Sequence, residues 1–235
     1  MYNESYSSQG QMDMQAGLNA YVSKIYGTMF LGLLVTALAA WFTANSYTMI
    51  NLLYGTPAIY LFIIAELVIV FSLSARINKI SYKTALIMFY AYSIINGITL
   101  SSVFLAYNIG VVYTAFFTTA ISFGIMSVYG ITTKKDLTRI GNVLMMLLIG
   151  VIVASVVNMF VGNNQFDLII SFAAVAIFVG LVAYDTQKLK SFYFSTYGDY
   201  HVQRKIGIIG ALSLYLDFIN IFLYLLRIFG NGRRD

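Results

Sequence analysis

Four ionisable side chains fall within or at the ends of long apolar stretches: Glu66, Arg76, Asp185 and Asp217. An ionised group at the centre of a bilayer costs about 2.5–3.5 kcal/mol on insertion scales, so each is a candidate for function. Two carboxylates close together in a low dielectric cannot both be ionised cheaply, so Asp185 and Asp217 would share a proton and titrate as a coupled pair. A neighbouring arginine favours their charged form, so a proton, Arg76 and an external cation would compete for one site. This pattern predicts a pH-sensitive cation pathway.

Asp217 lies 11 residues into the last apolar stretch, which is about 16 Å from its start in a helix. Polar or small residues recur around it at spacings of three and four, and they are Gly210, Ser213, Asn220, Tyr224 and Arg227. A helix with one polar stripe avoids lipid on that side, so we expect this helix at the centre of a bundle. The alternative is that the stripe only holds helices together through hydrogen bonds.

Carboxylate oxygens suit Ca²⁺, but a full Ca²⁺ site takes about six to eight oxygen ligands. Asp185 and Asp217 with Ser213 and Asn220 would therefore form a weak, transit-type site, which is what conduction requires. Asp185 ends the sixth apolar stretch, so it reaches Asp217 only if that helix continues past Lys188 and Lys190. The long stems of these lysines can extend to the membrane interface. Glu66, Asn96 and Thr99 lie midway along the second and third stretches. They could line the same cavity or be satisfied packing contacts.

The composition predicts a membrane protein. The chain has 235 residues, of which 60% are hydrophobic and 10% charged, and its mean hydropathy is +0.80. One soluble domain cannot hide that much apolar surface from water. The formal charge of +5 is spread over short clusters between apolar stretches, which favours loops beside anionic lipid over nucleic-acid binding.

The types of metal and redox site are restricted by the residues available. The chain has no Cys and a single His, His201, so disulfides and thiolate sites are excluded and a zinc site is disfavoured. We expect no cofactor other than Ca²⁺ as a transported or transiently bound ion.

Seven apolar stretches are long enough to cross a bilayer as helices, at residues 25–45, 57–75, 83–106, 111–131, 141–162, 167–187 and 206–229. They are continuous and twice as long as barrel strands, so the predicted fold class is all-α, with seven transmembrane helices and the C-terminal helix central. We expect a flexible cytoplasmic tail over residues 1–20 and one transmembrane domain over residues 21–235. The first stretch resembles a signal peptide, but its length and the six stretches that follow favour a retained span.

The basic residues predict a cytoplasmic N-terminus. Eleven Lys and Arg residues fall on the N-terminal side of the membrane, namely Lys24, Arg76, Lys79, Lys83, Lys134, Lys135, Arg139, Lys188, Lys190, Arg204 and Lys205. The opposite loops at 46–56, 107–110 and 163–166 carry none, and positive residues stay cytoplasmic. Seven spans place Arg227, Arg233 and Arg234 outside, which breaks this rule. Either the last segment crosses regardless, which we favour, or it re-enters.

One enzyme class shares a feature with this chain. Intramembrane aspartyl proteases carry Tyr-Asp on one helix and Gly-x-Gly-Asp on the next, and here Tyr184 precedes Asp185. Residues 213–216 before Asp217 lack both glycines, and the only proline, Pro57, lies far upstream of the position that the third protease motif requires. We therefore expect no enzymatic activity and no catalytic residue.

Four segments resemble the Bax inhibitor-1 family, also called the transmembrane Bax inhibitor motif family. They are residues 96–102 (NGITLSS), 180–188 (GLVAYDTQK), 211–220 (ALSLYLDFIN) and 226–230 (LRIFG). The likeness covers nearly everything after residue 17, and the combination of Tyr-Asp with Leu-Asp-Phe-Ile-Asn is specific. The short tail and the ending at residues 230–234 resemble the bacterial inner-membrane branch.

The resemblance implies a seven-helix fold with a central last helix and a pH-sensitive Ca²⁺ leak through a di-aspartyl site. The two acids correspond to Asp185 and Asp217, and the arginine that latches one of them in the closed state corresponds to Arg76. Some bacterial members associate with a membrane-bound quality-control protease. The competing hypothesis is therefore a non-conducting interaction protein that modulates stress responses or such a protease. Expected partners are the lipid bilayer, Ca²⁺, protons and that protease, with no nucleic acid.

Overall fold

The computed structural model of this chain describes residues 2–231, with side chains described for 12–230. Its regular secondary structure in these residues is helical. No strand occurs in those ranges. The helices are α1 (Tyr2–Ala44), α2 (Tyr47–Tyr54), α3 (Ala58–Arg76), α4 (Tyr82–Leu100), α5 (Ser102–Ala106), α6 (Ile109–Thr132), α7 (Thr138–Val161), α8 (Asn164–Ser195) and α9 (Tyr200–Asn231).

Within the described residues, seven segments are long and apolar enough to cross a membrane: 12–44, 58–76, 82–106, 109–132, 138–161, 164–195 and 200–230. The predicted all-α fold with seven transmembrane helices is therefore confirmed. Helices α4 and α5 together form the third span, which is interrupted at Ser101. There the Ser101 amide donates to the Ile98 carbonyl at 3.3 Å, a tighter turn than an α-helix makes.

Local sequence signals set several helix ends. The side chains of Ser81, Asn108 and Asn163 accept hydrogen bonds from the first-turn amides of α4, α6 and α8, as N-cap residues do. Gly162 ends α7 with a φ of 69°, a conformation that glycine adopts without steric cost. Pro57 immediately precedes α3, where its missing N–H leaves no helical bond unmade.

Helix α9 is the centre of the bundle, as the sequence predicted. It packs against α1, α4, α6 and α8, and it is the most buried of the seven spans, whereas α3 and α7 are the least. Close helix approach uses glycine: a Cβ on Gly97 of α4 would meet the Thr36 carbonyl of α1, and one on Gly130 of α6 would meet the Ala183 carbonyl of α8. Small residues allow such backbone contact between membrane helices.

The segment predicted as a flexible tail is helical in the structure, because α1 begins at Tyr2; its flexibility and its cytoplasmic side stay predictions. Within the tail region, Leu18 is buried, and Gly17 lies against the ring of Tyr193 at the end of α8. Leu18 continues the helical spacing of Tyr21, Val22 and Ile25, a weak apolar period that the polar composition of residues 1–20 obscures.

Helix α9 runs through the full thickness of the bundle. Near its start, the Lys205 ammonium donates to the Asn78 carbonyl between α3 and α4 at 3.2 Å. Near its end, Arg227 pairs with Asp167 at the start of α8 at 3.3 Å, and Gly230 lies beside Tyr107. The last segment therefore crosses rather than re-enters, and Asp167 offsets the charge of Arg227. Arg233 and Arg234 lie outside the described residues.

Candidate functional site

Asp217 lies in the interior of the bundle, on the central helix α9. Its side chain is 5% exposed. Its Oδ2 atom is buried and has no hydrogen-bond partner among the described residues. Unpaired polar atoms are uncommon in protein interiors, and each calls for an explanation such as a missing ion, a proton or water.

Asp185 faces α9 at Ser213, one helical turn before Asp217. The Ser213 hydroxyl donates to Asp185 Oδ2 at 2.6 Å. Ser213 and Asp217 are four residues apart on α9 and so share a face. The bond from Ser213 therefore places Asp185 on the same side of α9 as Asp217. This contact requires α8 to continue past Lys188 and Lys190 to Ser195, and it does.

The surroundings of Asp185 can admit water. A cavity of about 40 Å³ is lined by Asp185, Lys188, Ser213 and neighbouring apolar side chains. That volume exceeds the roughly 10–15 Å³ needed for one water molecule. Asp217 does not line this cavity, so of the two acids Asp185 is the one next to space that a hydrated ion or proton carrier could enter.

Two residues that the sequence reasoning missed lie beside this pair. The Tyr26 hydroxyl of α1 shares a hydrogen bond with Thr186 Oγ1 at 2.7 Å. Thr186 is fully buried and directly follows Asp185. A hydroxyl directly after the acid was a usable signal for Thr186, whereas nothing in the first apolar stretch distinguished Tyr26 from an interfacial tyrosine.

Arg76 is not brought to the aspartates in this structure. It ends α3 with an exposed side chain, and it forms no ion pair with Asp185 or Asp217 within the described ranges. Helix α3 packs on α2 and α4, not on α8. The contact between Lys205 and Asn78 places this end of α3 beside the start of α9, eight residues or about 12 Å before Ser213.

Glu66 joins a second polar network on another side of α9. Its carboxylate accepts from Thr99 Oγ1 at 2.6 Å and from Asn96 Nδ2 at 3.2 Å. The Tyr215 hydroxyl donates to Asn96 Oδ1 at 2.9 Å. Glu66, Asn96 and Thr99 therefore meet, and the bonds between them satisfy the carboxylate.

Helix α1 completes this network. The Thr36 hydroxyl shares a hydrogen bond with Tyr215 at 2.6 Å and is also within bonding distance of the Ser93 carbonyl. Tyr215 and Asp217 are two residues apart, so their side chains leave α9 in different directions. The two networks are therefore separate, with α9 between them.

The remaining candidate, Asn220, bonds within its own helix. Its amide donates to the Leu216 carbonyl at 2.8 Å. No cluster of three or more His, Cys, Asp or Glu side chains occurs in the part of the chain that the structure describes. A cation at the α8–α9 interface would therefore have two carboxylates and hydroxyl, carbonyl or water oxygens as ligands.

Comparison with known proteins agrees with this architecture. The family model described as "Inhibitor of apoptosis-promoting Bax1" matches residues 18–234. The inner membrane protein YbhL of Escherichia coli K12 is 47% identical over 223 residues, covering 93% of this chain and 94% of that protein. An uncharacterized protein of Borreliella burgdorferi is 39% identical over 218 residues, covering 92% and 94% of the two chains. An uncharacterized membrane protein of Streptococcus pyogenes serotype M1 is 39% identical over 219 residues, with the same two coverages.

The family match spans all seven membrane helices, including the segments that carry Asp185 and Asp217. Identity at this level over nearly the whole length of both chains implies a common fold. With its seven membrane-spanning segments and central α9, the chain belongs to the Bax inhibitor-1 family of membrane proteins.

Proposed function

We propose that this protein passes Ca²⁺ across its membrane in a pH-sensitive manner, as a leak channel or in exchange for protons, with Asp185 and Asp217 as the ion-binding and proton-binding pair. The observation that carries the proposal is the unpartnered, buried Oδ2 of Asp217 one turn from the bond between Ser213 and Asp185. Burying a carboxylate without a partner is costly, and a proton or a cation removes that cost.

Competition between the two ligands follows from charge. With both acids ionised, two negative charges sit in a low dielectric and attract a divalent cation strongly. One proton on the pair halves that charge and weakens the attraction, so acidification changes the occupancy of the site and hence the flux. The proposed site has few oxygen ligands, so it binds Ca²⁺ weakly and releases it readily.

Arg76 is proposed to act as the gating latch in a second conformation, in which it contacts an aspartate instead of lying exposed at the end of α3. The end of α3 would have to move toward the α8–α9 interface for its guanidinium to pair with an aspartate. Helix α3 is peripheral and little buried, so such a movement disrupts few contacts. Glu66 and Asn96 lie on the other side of α9 and satisfy each other, so they are proposed to stabilise the bundle rather than line the path.

The membrane is proposed to be a bacterial inner membrane, because the E. coli relative is an inner membrane protein. The N-terminus is proposed to be cytoplasmic, because the ends of the spans on that side carry the basic clusters.

Flux into liposomes tests the proposal. The purified protein is reconstituted into vesicles that contain a Ca²⁺ dye, at neutral and at acidic pH. Asp217→Asn and Asp185→Asn should each lower the flux by about tenfold or more and reduce its pH dependence, since a lost charged ligand costs at least about 1.5 kcal/mol. Asp199→Asn is the matched control: Asp199 caps α9 by accepting from the Val202 amide, and Asn caps equally well.

Two outcomes reject the channel proposal. One is equal flux from Asp217→Asn and the unmodified protein. The other is an absence of flux from the unmodified protein, together with retention of a membrane protease partner by both aspartate variants. The second outcome would favour a non-conducting interaction protein.

A further inference from the structure

A second cavity lies away from the aspartates, between the first part of α1 and the beginning of α9. It has a volume of about 370 Å³, within the range of small-molecule sites. Lys24 and Arg204 line it together with Tyr21, Tyr82, Tyr200 and Gln203. Among the described residues no Asp or Glu lines it, so the cavity is positively charged.

Arg204 is held in an orientation that suits an anion. Its guanidinium lies 3.9 Å from the centroid of the Tyr82 ring and 5.3 Å from that of Tyr200. Rings that stack on a guanidinium contact its face and do not accept from its N–H groups, which can bond phosphate oxygens in pairs. Arg204 Nε is buried and makes no hydrogen bond with the described residues.

Tyr21 supplies a second, independent donor without a partner at this cavity. Its side chain is 9% exposed and lines the cavity, and its hydroxyl is buried without a partner in the part of the chain described. Buried tyrosine hydroxyls usually find a partner. Tyr21 and Arg204 thus each have a donor without an acceptor, and both residues line one basic cavity, which points to a ligand with acceptor oxygens.

We propose that this cavity binds a phosphate group, carried by the headgroup of an anionic lipid or present as free phosphate. Arg204 and Lys24 supply the charge, and Tyr21 donates a hydrogen bond. The cavity lies at the end of the helix bundle that carries the basic clusters. Basic pockets between membrane helices bind anionic lipid headgroups at such ends.

Native mass spectrometry of the full chain in neutral detergent tests the proposal, because detergent removes the diffuse attraction of a charged bilayer. The probes are phosphatidylglycerol, phosphatidylcholine and inorganic phosphate. The unmodified protein should retain phosphatidylglycerol over phosphatidylcholine. Arg204→Gln should weaken this binding about tenfold or more, the effect of losing a hydrogen bond to a charged group.

Two further variants separate binding from folding. Lys24→Gln changes an exposed side chain, and Tyr21→Phe removes only the hydroxyl, so both should fold and both should weaken binding. Arg139→Gln, which removes a positive charge at the same membrane side but outside the cavity, should leave it unchanged. Displacement of the lipid by excess inorganic phosphate would identify free phosphate as the source, whereas lipid retained against phosphate would identify the headgroup. The proposal would be overturned if Arg204→Gln, Lys24→Gln and Tyr21→Phe all bound phosphatidylglycerol as well as the unmodified protein does. It would also be overturned if the unmodified protein bound neither phosphatidylglycerol nor inorganic phosphate.

Discussion

Replacing Tyr215 by Phe should destabilise the protein by about 1–2 kcal/mol. The Tyr215 side chain is fully buried, and its hydroxyl donates to Asn96 Oδ1 and meets Thr36 Oγ1. Without that hydroxyl, Thr36 still reaches the carbonyls of Gly32 and Ser93. Asn96 Oδ1 has no other partner within the described residues.

The magnitude follows from that single orphaned acceptor. A hydrogen bond between membrane helices contributes about 0.6 kcal/mol on average and up to about 1.7 kcal/mol, and an unsatisfied buried acceptor costs about 1–3 kcal/mol. The van der Waals contacts of the ring remain, including its edge-on packing against Phe89, with 5.7 Å between the two ring centroids. The change is therefore confined to one polar contact.

Reversible unfolding in mixed micelles, followed by circular dichroism, measures this loss. Tyr92→Phe is the matched control, because Tyr92 packs edge-on against Tyr215 and its hydroxyl makes no hydrogen bond within the described ranges. The control should change the free energy of unfolding by less than about 0.5 kcal/mol. A Tyr215→Phe variant as stable as the unmodified protein would refute the reasoning. So would a double variant with Asn96→Ala whose loss equals the sum of the two single losses, because contacting residues should couple.

Three other changes have expected outcomes of defined sign. Gly97→Ala should destabilise the protein by about 1–3 kcal/mol, because the added Cβ would meet the Thr36 backbone. Gly124→Ala should instead stabilise it by up to about 1 kcal/mol, because the space around Gly124 is open. Thermal unfolding of both variants measures the two effects. A double-mutant cycle of Arg227→Gln and Asp167→Asn should show a coupling energy below about 1 kcal/mol that decreases with added salt. The reason is that both side chains are about 40% exposed. A large coupling energy that salt does not change would contradict this. Hydrogen bonds from Thr138 hold the pKa of Asp136 below its usual value, so their stabilisation is present above the unfolded pKa and is lost as the pH falls below about 4. The protection factor of the Thr138 amide against hydrogen exchange should then fall, and it should show no such acid dependence in Asp136→Asn.

The sequence alone was sufficient to predict the membrane architecture. Hydrocarbon thickness sets the length of a spanning helix, so seven apolar stretches of about 20 residues translate directly into seven spans. The polar stripe that contains Ser213 and Asp217 likewise indicated that the last helix is central, because a stripe at helical spacing is a local property of one segment. The segments around Asp185 and Asp217 were specific enough to indicate the family.

The tertiary structure decided which side chains meet. Asp185 meets Ser213, one turn from Asp217, because α8 continues past its lysines. Arg76 is kept away from both acids by the peripheral position of α3. Glu66 is connected to Tyr215 through Asn96. The cavity around Arg204 joins residues about 180 positions apart in the chain. Such contacts depend on how helices rotate and cross when they pack, and no periodicity within one segment carries that information.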